Sequence, residues 1–299
     1  GKPEELRDFA GVVAALKRQI WHAAVLVGAL VNASDRGYGE MCGFPLRTLL
    51  TRRCLEEGKG IWEGGALYNA IQVECVGITN TADALAAIKA VVYEDRALSL
   101  PQLVELLRRN WRGHETVRLY CRNRLPKFGN EDEFVDGLYA DVARTVYGAV
   151  SQQPCRRGGT LMPGSVVFTY HIEFGAKTGA TPDGRKRAEP LADSAGPARG
   201  AARRGPTAVL NSMLRFEQGL APTCVVLNLM FDRTAFRPAH LADLVQTYFE
   251  RGGMQVQVNV ADIETLRRAQ RRPQDYPELT VRVGGFSAYF VELERAVQD

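Results

Sequence analysis

Hydrophobic residues in the first half of the chain recur at helical spacing. The apolar-rich stretch from about Glu4 to Asn32 predicts a long helix or a pair of helices. A further helix is predicted from Phe44 to Glu57, with Gly58 as its end. Asn80 can cap a third helix. Three apolar residues share one face of that helix: Leu85, Ile88 and Val92.

Two capping-box patterns predict further helix starts. Ser99 with Gln102 forms the first. Asn130 with Glu133 forms the second. Each precedes apolar residues at helical spacing, namely Leu103, Leu106 and Leu107 after the first and Phe134, Leu138, Val142 and Val146 after the second. Such a stripe indicates a helix that packs on another element.

The pattern changes near Gln153. The stretch from Pro154 to Gly164 is rich in Arg, Gly and Pro and is typical of a connector. Four β-branched or apolar runs then predict strands: Ser165 to Ile172, Thr207 to Leu214, Cys224 to Phe231 and Met254 to Val260. Helices are predicted from Ala239 to Arg251 and from Ile263 to Arg271. The chain therefore divides into a mainly helical part, 1–152, and a strand-rich part, 153–299.

The last predicted strand has one strictly polar face. Its apolar positions are Met254, Val256, Val258 and Val260, and its polar positions are Gln255, Gln257 and Asn259. A polar face on a central strand indicates a lumen or a site. An ordinary half-exposed strand gives the same alternation, so both interpretations stay open.

Composition and charge narrow the class of protein. The 299 residues are 45% hydrophobic and 24% charged, which is ordinary globular usage. The net charge of +4 is too small to indicate nucleic acid or a membrane as partner. The N-terminus lacks the pattern of a secretory signal, and the apolar run from Ile20 to Val31 is too short to cross a bilayer. We expect a cytoplasmic protein.

Several familiar chemical motifs are absent. The segment from Gly179 to Lys186 has the glycine spacing of a phosphate-binding loop, but Arg185 stands where Lys is needed. Its Pro-Asp-Gly sequence is more typical of a tight turn. The four histidines and six cysteines show no metal-binding spacing, so no metal site is predicted.

A series of segments resembles the glycyl radical enzymes, the pyruvate formate-lyase superfamily. They occur in the family's order: Gly65 to Lys89, Arg124 to Gly137, Phe174 to Ser194, Gly205 to Met213, Arg251 to Ala261, Thr265 to Thr280 and Val281 to Val291. The resemblance implies an α/β fold. It is the carboxy-terminal half of the family's ten-stranded α/β barrel, with the glycyl radical loop inserted in the barrel.

The resemblance assigns the radical to Gly285. The family's radical glycine follows Arg-Val and one small residue, which here are Arg282, Val283 and Gly284. Loss of a Cα hydrogen from glycine leaves a radical that the amide nitrogen and the carbonyl both stabilise. We expect the loop to be buried, away from oxygen and solvent. No bound cofactor is implied, because a radical S-adenosylmethionine activating enzyme installs the radical.

The catalytic cysteine of the family lies in a Gly-Cys-x-Glu loop that this chain does not contain. None of the six cysteines has that context, and we expect all six to be non-catalytic. The implied partners are therefore an amino-terminal half that carries the cysteine, the activating enzyme and a small-molecule substrate, with a homodimer as an option.

The segment from Arg187 to Ala198 resembles the dehydratase, C–N lyase and arylacetate decarboxylase branch of the family. Two alternatives stay open: a non-catalytic radical carrier that repairs a damaged enzyme, and a pyruvate formate-lyase-like acyltransferase. The resemblance implies an anaerobic cytoplasmic location, or one inside a bacterial microcompartment.

The residues that could reach a substrate cavity are Tyr68, Asn69, Glu74, Tyr170 and His171.

Overall fold

The computed structural model describes residues 2–232, 237–283 and 285–298. The α-helices are α1 (Phe9–Met41), α2 (Pro45–Leu49), α3 (Cys54–Glu57), α4 (Ile78–Ile88), α5 (Leu100–Arg108), α6 (Glu115–Asn123), α7 (Glu133–Ser151), α8 (Tyr170–Lys177), α9 (Gly205–Met213), α10 (Pro238–Glu250), α11 (Ile263–Arg271) and α12 (Arg295–Gln298). A π-helical turn, Lys89–Glu94, extends α4. The strands are β1 (Gln72–Glu74), β2 (Met162–Gly164), β3 (Val226–Asp232), β4 (Gln255–Ala261), β5 (Thr280–Val283) and β6 (Phe286–Tyr289).

The first predicted helix is longer than its sequence pattern indicated. Asp8 caps α1 by accepting the backbone N–H of Gly11 at 2.7 Å. The helix continues past Asn32, whose side-chain amide donates to the carbonyl oxygens of Gly28 and Pro154. Asn32 therefore ties α1 to the connector and does not end the helix. The predicted helix from Phe44 to Glu57 forms as two short helices, α2 and α3.

One of the three predicted caps is present. The Ser99 hydroxyl accepts the N–H of Gln102, and the Gln102 side chain accepts the N–H of Ser99. The prediction for Asn130 is wrong, because Asp132 caps α7 by accepting the N–H of Val135 at 3.0 Å. The prediction for Asn80 is also wrong: α4 begins after Gly77, and Asn80 is buried within its first turn.

Two predicted strands do not form. The stretch from Thr207 to Leu214 forms α9, because Pro206 occupies the first turn, where proline favours a helix. In the stretch from Ser165 to Ile172 the backbone turns at Phe168, with φ +48°, and α8 begins at Tyr170. The predictions for β3, β4, α10 and α11 are confirmed to within two residues.

The central strands are parallel. β1 pairs with β2 and β3 pairs with β4, each in parallel. A parallel bridge between Ser165 and Val225 joins the two pairs. The four strands therefore follow one another in chain order as one wall, which is the arrangement expected of a parallel α/β fold. β5 and β6 form a separate antiparallel hairpin.

Helix α7 packs against α1, α4 and strand β2. Phe128 and Tyr139 are fully buried at the centre, with ring centroids 3.9 Å apart. The Tyr147 hydroxyl lies 2.7 Å from that of Ser165 and so joins α7 to the end of β2. Among the described residues, no helix is long and apolar enough to cross a membrane.

Candidate functional site

Gly285 lies at the tip of the hairpin formed by β5 and β6. Its φ of +103° falls in the region that glycine adopts without strain. A Cβ atom at this position would lie 3.2 Å from Cε1 of Phe168. The backbone conformation therefore favours glycine here, and a Cβ would crowd the Phe168 ring. Gly284 lies outside the described residues.

The hairpin rests against the polar face of β4. The side-chain oxygen Oε1 of Gln257 accepts the N–H of Gly285 at 3.0 Å and Nε of Arg282 at 3.3 Å. Asn259 exchanges two hydrogen bonds with the backbone of Arg282, at 2.8 and 3.0 Å. Gln257 and Asn259 thus use the polar face of β4 to bind the hairpin, and the interpretation that assigned this face to a site stays a prediction.

Gly285 is exposed on this chain. The expectation of a buried loop is therefore not met by these residues alone. Strands β1 to β4 do not close into a barrel among the described residues, because β1 does not pair with β4. The hairpin on β4 is therefore in contact with solvent.

Glu74 lies at the end of β1, beside the start of β3. Its Oε2 accepts the backbone N–H of Val166 at 2.8 Å, and Sγ of Cys224 lies 4.0 Å from the same oxygen. Burial raises the pKa of the Glu74 carboxyl, and the Val166 hydrogen bond lowers it in part. Gln72 donates to its second oxygen. A half-buried carboxyl with a raised pKa holds its proton more tightly than an exposed one and is a candidate for proton transfer.

His171 lies in the first turn of α8. Burial lowers the pKa of its imidazole, while Asp193 acts in the opposite direction. Asp193 is held by Nδ2 of Asn228 at 2.6 Å and by the hydroxyl of Ser194 at 2.8 Å. Asp193 and Asn228 were not predicted as site residues, because they lie 35 positions apart and no local sequence pattern relates them.

The remaining three candidates differ in their contacts. Asn69 donates to the carbonyl oxygens of Gly64 and Ala66, so its amide stabilises a turn. The Tyr68 side chain is 88% exposed. Tyr170 is half exposed, and its ring lies 6.1 Å from that of Phe174 at a tilt of 43°. None of these contacts tests the expectation that these residues face a substrate cavity.

The segment from Gly179 to Lys186, which has the glycine spacing of a phosphate-binding loop, forms a tight turn. The guanidinium of Arg185 is buried and donates to the carbonyl oxygens of Gly179 and Glu189 and to the hydroxyl of Thr181. All three acceptors lie close to Arg185 in the chain, so Arg185 stabilises the turn.

The Arg185 side chain also lines a cavity of about 270 Å³, together with Asp83, Lys127 and Asp183.

Two buried cysteines have thiols that ionise less readily than a free thiol. Burial raises the pKa of Cys75 to about 12 and that of Cys121 to about 11. Within the described residues, no group of three or more His, Cys, Asp or Glu side chains could hold a metal ion.

Two family models match the chain. The pyruvate formate lyase-like model matches residues 1–175, and the glycine radical model matches residues 191–291. The second match includes the hairpin and the polar face of β4.

Characterised relatives match along the whole chain. The chain is 31% identical to (2S)-3-sulfopropanediol dehydratase of Klebsiella oxytoca, over all of its own length and 37% of that protein. It is 32% identical to trans-4-hydroxy-L-proline dehydratase of Clostridioides difficile, over all of its own length and 38% of that protein. The chain thus spans well under half the length of these relatives.

Solved structures give the same result. The chain superposes on the glycerol-bound B12-independent glycerol dehydratase from Clostridium butyricum with a TM-score of 0.96 and 32% identity, covering all of this chain and 38% of that one. A 1,2-propanediol dehydratase from Roseburia inulinivorans gives a TM-score of 0.96 and 31% identity, over all of this chain and 39% of that one. The predicted α/β barrel fold is confirmed, and the chain belongs to the pyruvate formate lyase-like family of glycyl radical enzymes.

Proposed function

We propose that this chain is the radical-bearing carboxy-terminal portion of a glycyl radical lyase. Gly285 stores the radical. The observation that carries this proposal is the position of Gly285: it lies at a hairpin tip, in a conformation that favours glycine, with its N–H fixed by Gln257. The match of the glycine radical model over residues 191–291 supports the same assignment.

The chemistry requires a residue without a side chain. When a hydrogen atom leaves Cα of Gly285, the unpaired electron delocalises onto the neighbouring amide nitrogen and carbonyl. The centre becomes planar, and a Cβ would meet the ring of Phe168 at 3.2 Å. A radical S-adenosylmethionine activating enzyme takes this hydrogen atom. No cofactor is bound by this chain for the purpose, because the glycine itself stores the radical.

The radical is relayed to a cysteine that this chain does not supply. The six cysteines are spread over the chain without the family's Gly-Cys-x-Glu context. A polypeptide corresponding to the amino-terminal half of the family's barrel provides the cysteine and covers the exposed glycine hairpin. Substrate then reacts between the two.

The reaction class is dehydratase, C–N lyase or decarboxylase, on a small molecule. Relatives named as dehydratases, as isethionate sulfite-lyase and as indoleacetate decarboxylase support this range. We further propose that Glu74 and His171 face the substrate and accept or hold a proton there; burial raises the pKa of the Glu74 carboxyl and lowers that of the His171 imidazole. Tyr68, Asn69 and Tyr170 are proposed to line the same space.

Electron paramagnetic resonance tests the proposal. The intact protein is activated anaerobically with its activating enzyme, and a doublet from the single remaining Cα hydrogen of Gly285 is expected. Exposure to air should then cleave the backbone at Gly285, as read by mass spectrometry. Gly285→Ala should give neither result. A doublet that persists in Gly285→Ala would refute the assignment.

A further inference from the structure

The glycine hairpin is attached to the barrel wall through side chains. β5 and β6 pair only with each other among the described strands. Asn259 of β4 bridges the gap: its Nδ2 donates to the carbonyl oxygen of Arg282 at 2.8 Å, and its Oδ1 accepts the N–H of Arg282 at 3.0 Å. The side-chain amide takes the place of a neighbouring strand's peptide group. Such an attachment can open by side-chain rotation, without separating the paired strands.

Gln257 makes the second attachment, at the radical residue itself. Its Oε1 accepts the N–H of Gly285 at 3.0 Å and the Nε–H of Arg282 at 3.3 Å. The side chain is 6% exposed, and its Nε2 is buried without a hydrogen-bond partner among the described residues. The polar contacts that fix this amide are thus the two made by its oxygen. The position of Gln257 and the position of the hairpin depend on each other.

The ring of Phe168 faces Gly285 at close range. An atom added to Cα of Gly285 in the direction of a Cβ would lie 3.2 Å from Cε1 of that ring. Gln257 fixes the N–H direction of Gly285, and Phe168 limits how far the residue can rotate about it. Together they fix the directions of the two Cα hydrogens.

We propose that Gln257 is a positioning residue for the glycyl radical and, with Asn259, forms a latch that holds the hairpin in the barrel. This rests on the proposed role of Gly285. A hydrogen bond accepted from the Gly285 N–H increases electron donation from the nitrogen into the half-filled orbital at Cα. The same bond must break before the hairpin can leave the barrel to meet the activating enzyme. Gln257 therefore influences both the radical and the exit of its loop.

Limited proteolysis measures the latch without any radical. Trypsin cleaves after Arg282, which lies within the latch, and cleavage after Arg271 in α11 serves as the internal reference. In the intact, unactivated protein, Gln257→Leu should accelerate cleavage after Arg282 about tenfold, which corresponds to about 1.4 kcal/mol. Asn259→Leu should act in the same direction.

Two variants control the interpretation. Gln257→Glu keeps the acceptor oxygen and the size of the side chain, so cleavage should stay within about twofold of the unmodified protein, a difference smaller than one hydrogen bond contributes. Gln255→Leu changes the same face of β4 at a residue that the hairpin bonds do not involve, and it should have no effect. Unchanged cleavage in Gln257→Leu would overturn the latch. Equal acceleration in Gln257→Leu and Gln257→Glu would overturn the role of the acceptor oxygen.

Spectroscopy after activation separates this inference from the proposed function. If the unmodified protein gives a glycyl doublet, the Gln257→Leu variant should differ from it in hyperfine splitting and in decay rate. The Gln257→Glu variant should match the unmodified protein in both. An unchanged doublet in Gln257→Leu would refute the positioning role. A missing doublet in the unmodified protein would instead refute the role of Gly285 and leave the proteolysis result to decide the latch alone.

Discussion

The carboxyl of Asp83 accepts the backbone N–H of Phe128 at 2.8 Å through Oδ1, while its Oδ2 is buried with no hydrogen-bond partner among the residues that the structure describes. Asp83 lies in α4, and Phe128 lies in the segment before α7. Burial raises the pKa of this carboxyl to about 7; Lys127 acts against that shift, and Asp183 and Asp136 add to it. The core between α4 and α7 therefore contains a carboxyl that is part-protonated at neutral pH.

The raised pKa predicts that stability decreases with rising pH. Between about pH 4 and pH 7 the folded chain keeps a proton that the unfolded chain has lost, so the free energy of unfolding falls as pH rises, by at most about 4 kcal/mol. Asp83→Asn keeps an acceptor for Phe128 and cannot ionise, so this dependence should flatten. Urea unfolding at pH 5 and pH 8 measures it. Asp141→Asn, in the exposed pair with Lys17, serves as the control. Equal pH dependence in Asp83→Asn and the unmodified protein would contradict the assignment.

The thiols should react in a defined order. Cys42 is partly exposed. Burial and the nearby Glu74 carboxylate raise the pKa of the half-buried Cys224. Cys75 is buried, and its pKa is raised to about 12. Because the thiolate is the reactive form, we expect iodoacetamide at pH 7.5 to modify Cys42 first, Cys224 more slowly and Cys75 last. Peptide mass spectrometry over time gives the order. Early labelling of Cys75 would show that its surroundings are more open than described.

The buried carboxylate of Asp35 joins α1 to the connector. It lies 2.9 Å from Nη1 of Arg156 and 3.0 Å from Nη2 of Arg157, and is 5% exposed. Asp35→Ala leaves two partly buried guanidinium groups without their carboxylate and should lower the free energy of unfolding by about 2–4 kcal/mol. Glu57→Ala removes an exposed partner of Arg53 and should cost less than about 1 kcal/mol. Equal losses in the two variants would argue against the importance of the buried pair.

Gly253 lies directly against a buried tyrosine. A Cβ at this position would be 2.3 Å from Cε1 of Tyr248, which is 1% exposed and hydrogen-bonded to Gln218. Because this ring has little room to move, Gly253→Ala should destabilise the chain by about 1–3 kcal/mol. Gly219→Ala is the matched control, since nothing lies within 4 Å of a Cβ there. Chemical denaturation of both variants measures the difference, and a neutral Gly253→Ala would mean that β4 shifts to accommodate it.

Local sequence patterns predicted helices better than strands in this chain. The stretch from Ile263 to Arg271 forms the predicted helix, because its apolar residues recur at helical spacing and Asp262 caps it. The stretch from Thr207 to Leu214 contains β-branched and apolar residues that suit either structure. Its outcome depends on Pro206 and on burial of Val209 and Leu210 against the core.

The candidate site was only partly readable from the sequence. Gly285 follows from a contiguous motif, and the alternation in β4 indicated a polar face. The contacts of that face depend on a hairpin more than twenty residues later, since Arg282 follows Asn259 by 23 positions. Asp193 and Asn228 are separated by 35 positions, and no local pattern relates them. Such pairings are set by the tertiary fold.

The parallel wall also governs how the isolated chain behaves in solution. Among the described residues, β1 pairs along one side with β2, and β4 pairs along one side with β3, so each outer strand has an unpaired edge. Unpaired edges of this kind recruit strands from other molecules and promote aggregation. Aggregation of the isolated chain should therefore increase strongly with protein concentration. Co-expression with a polypeptide that covers both edges is the practical route to a well-behaved sample.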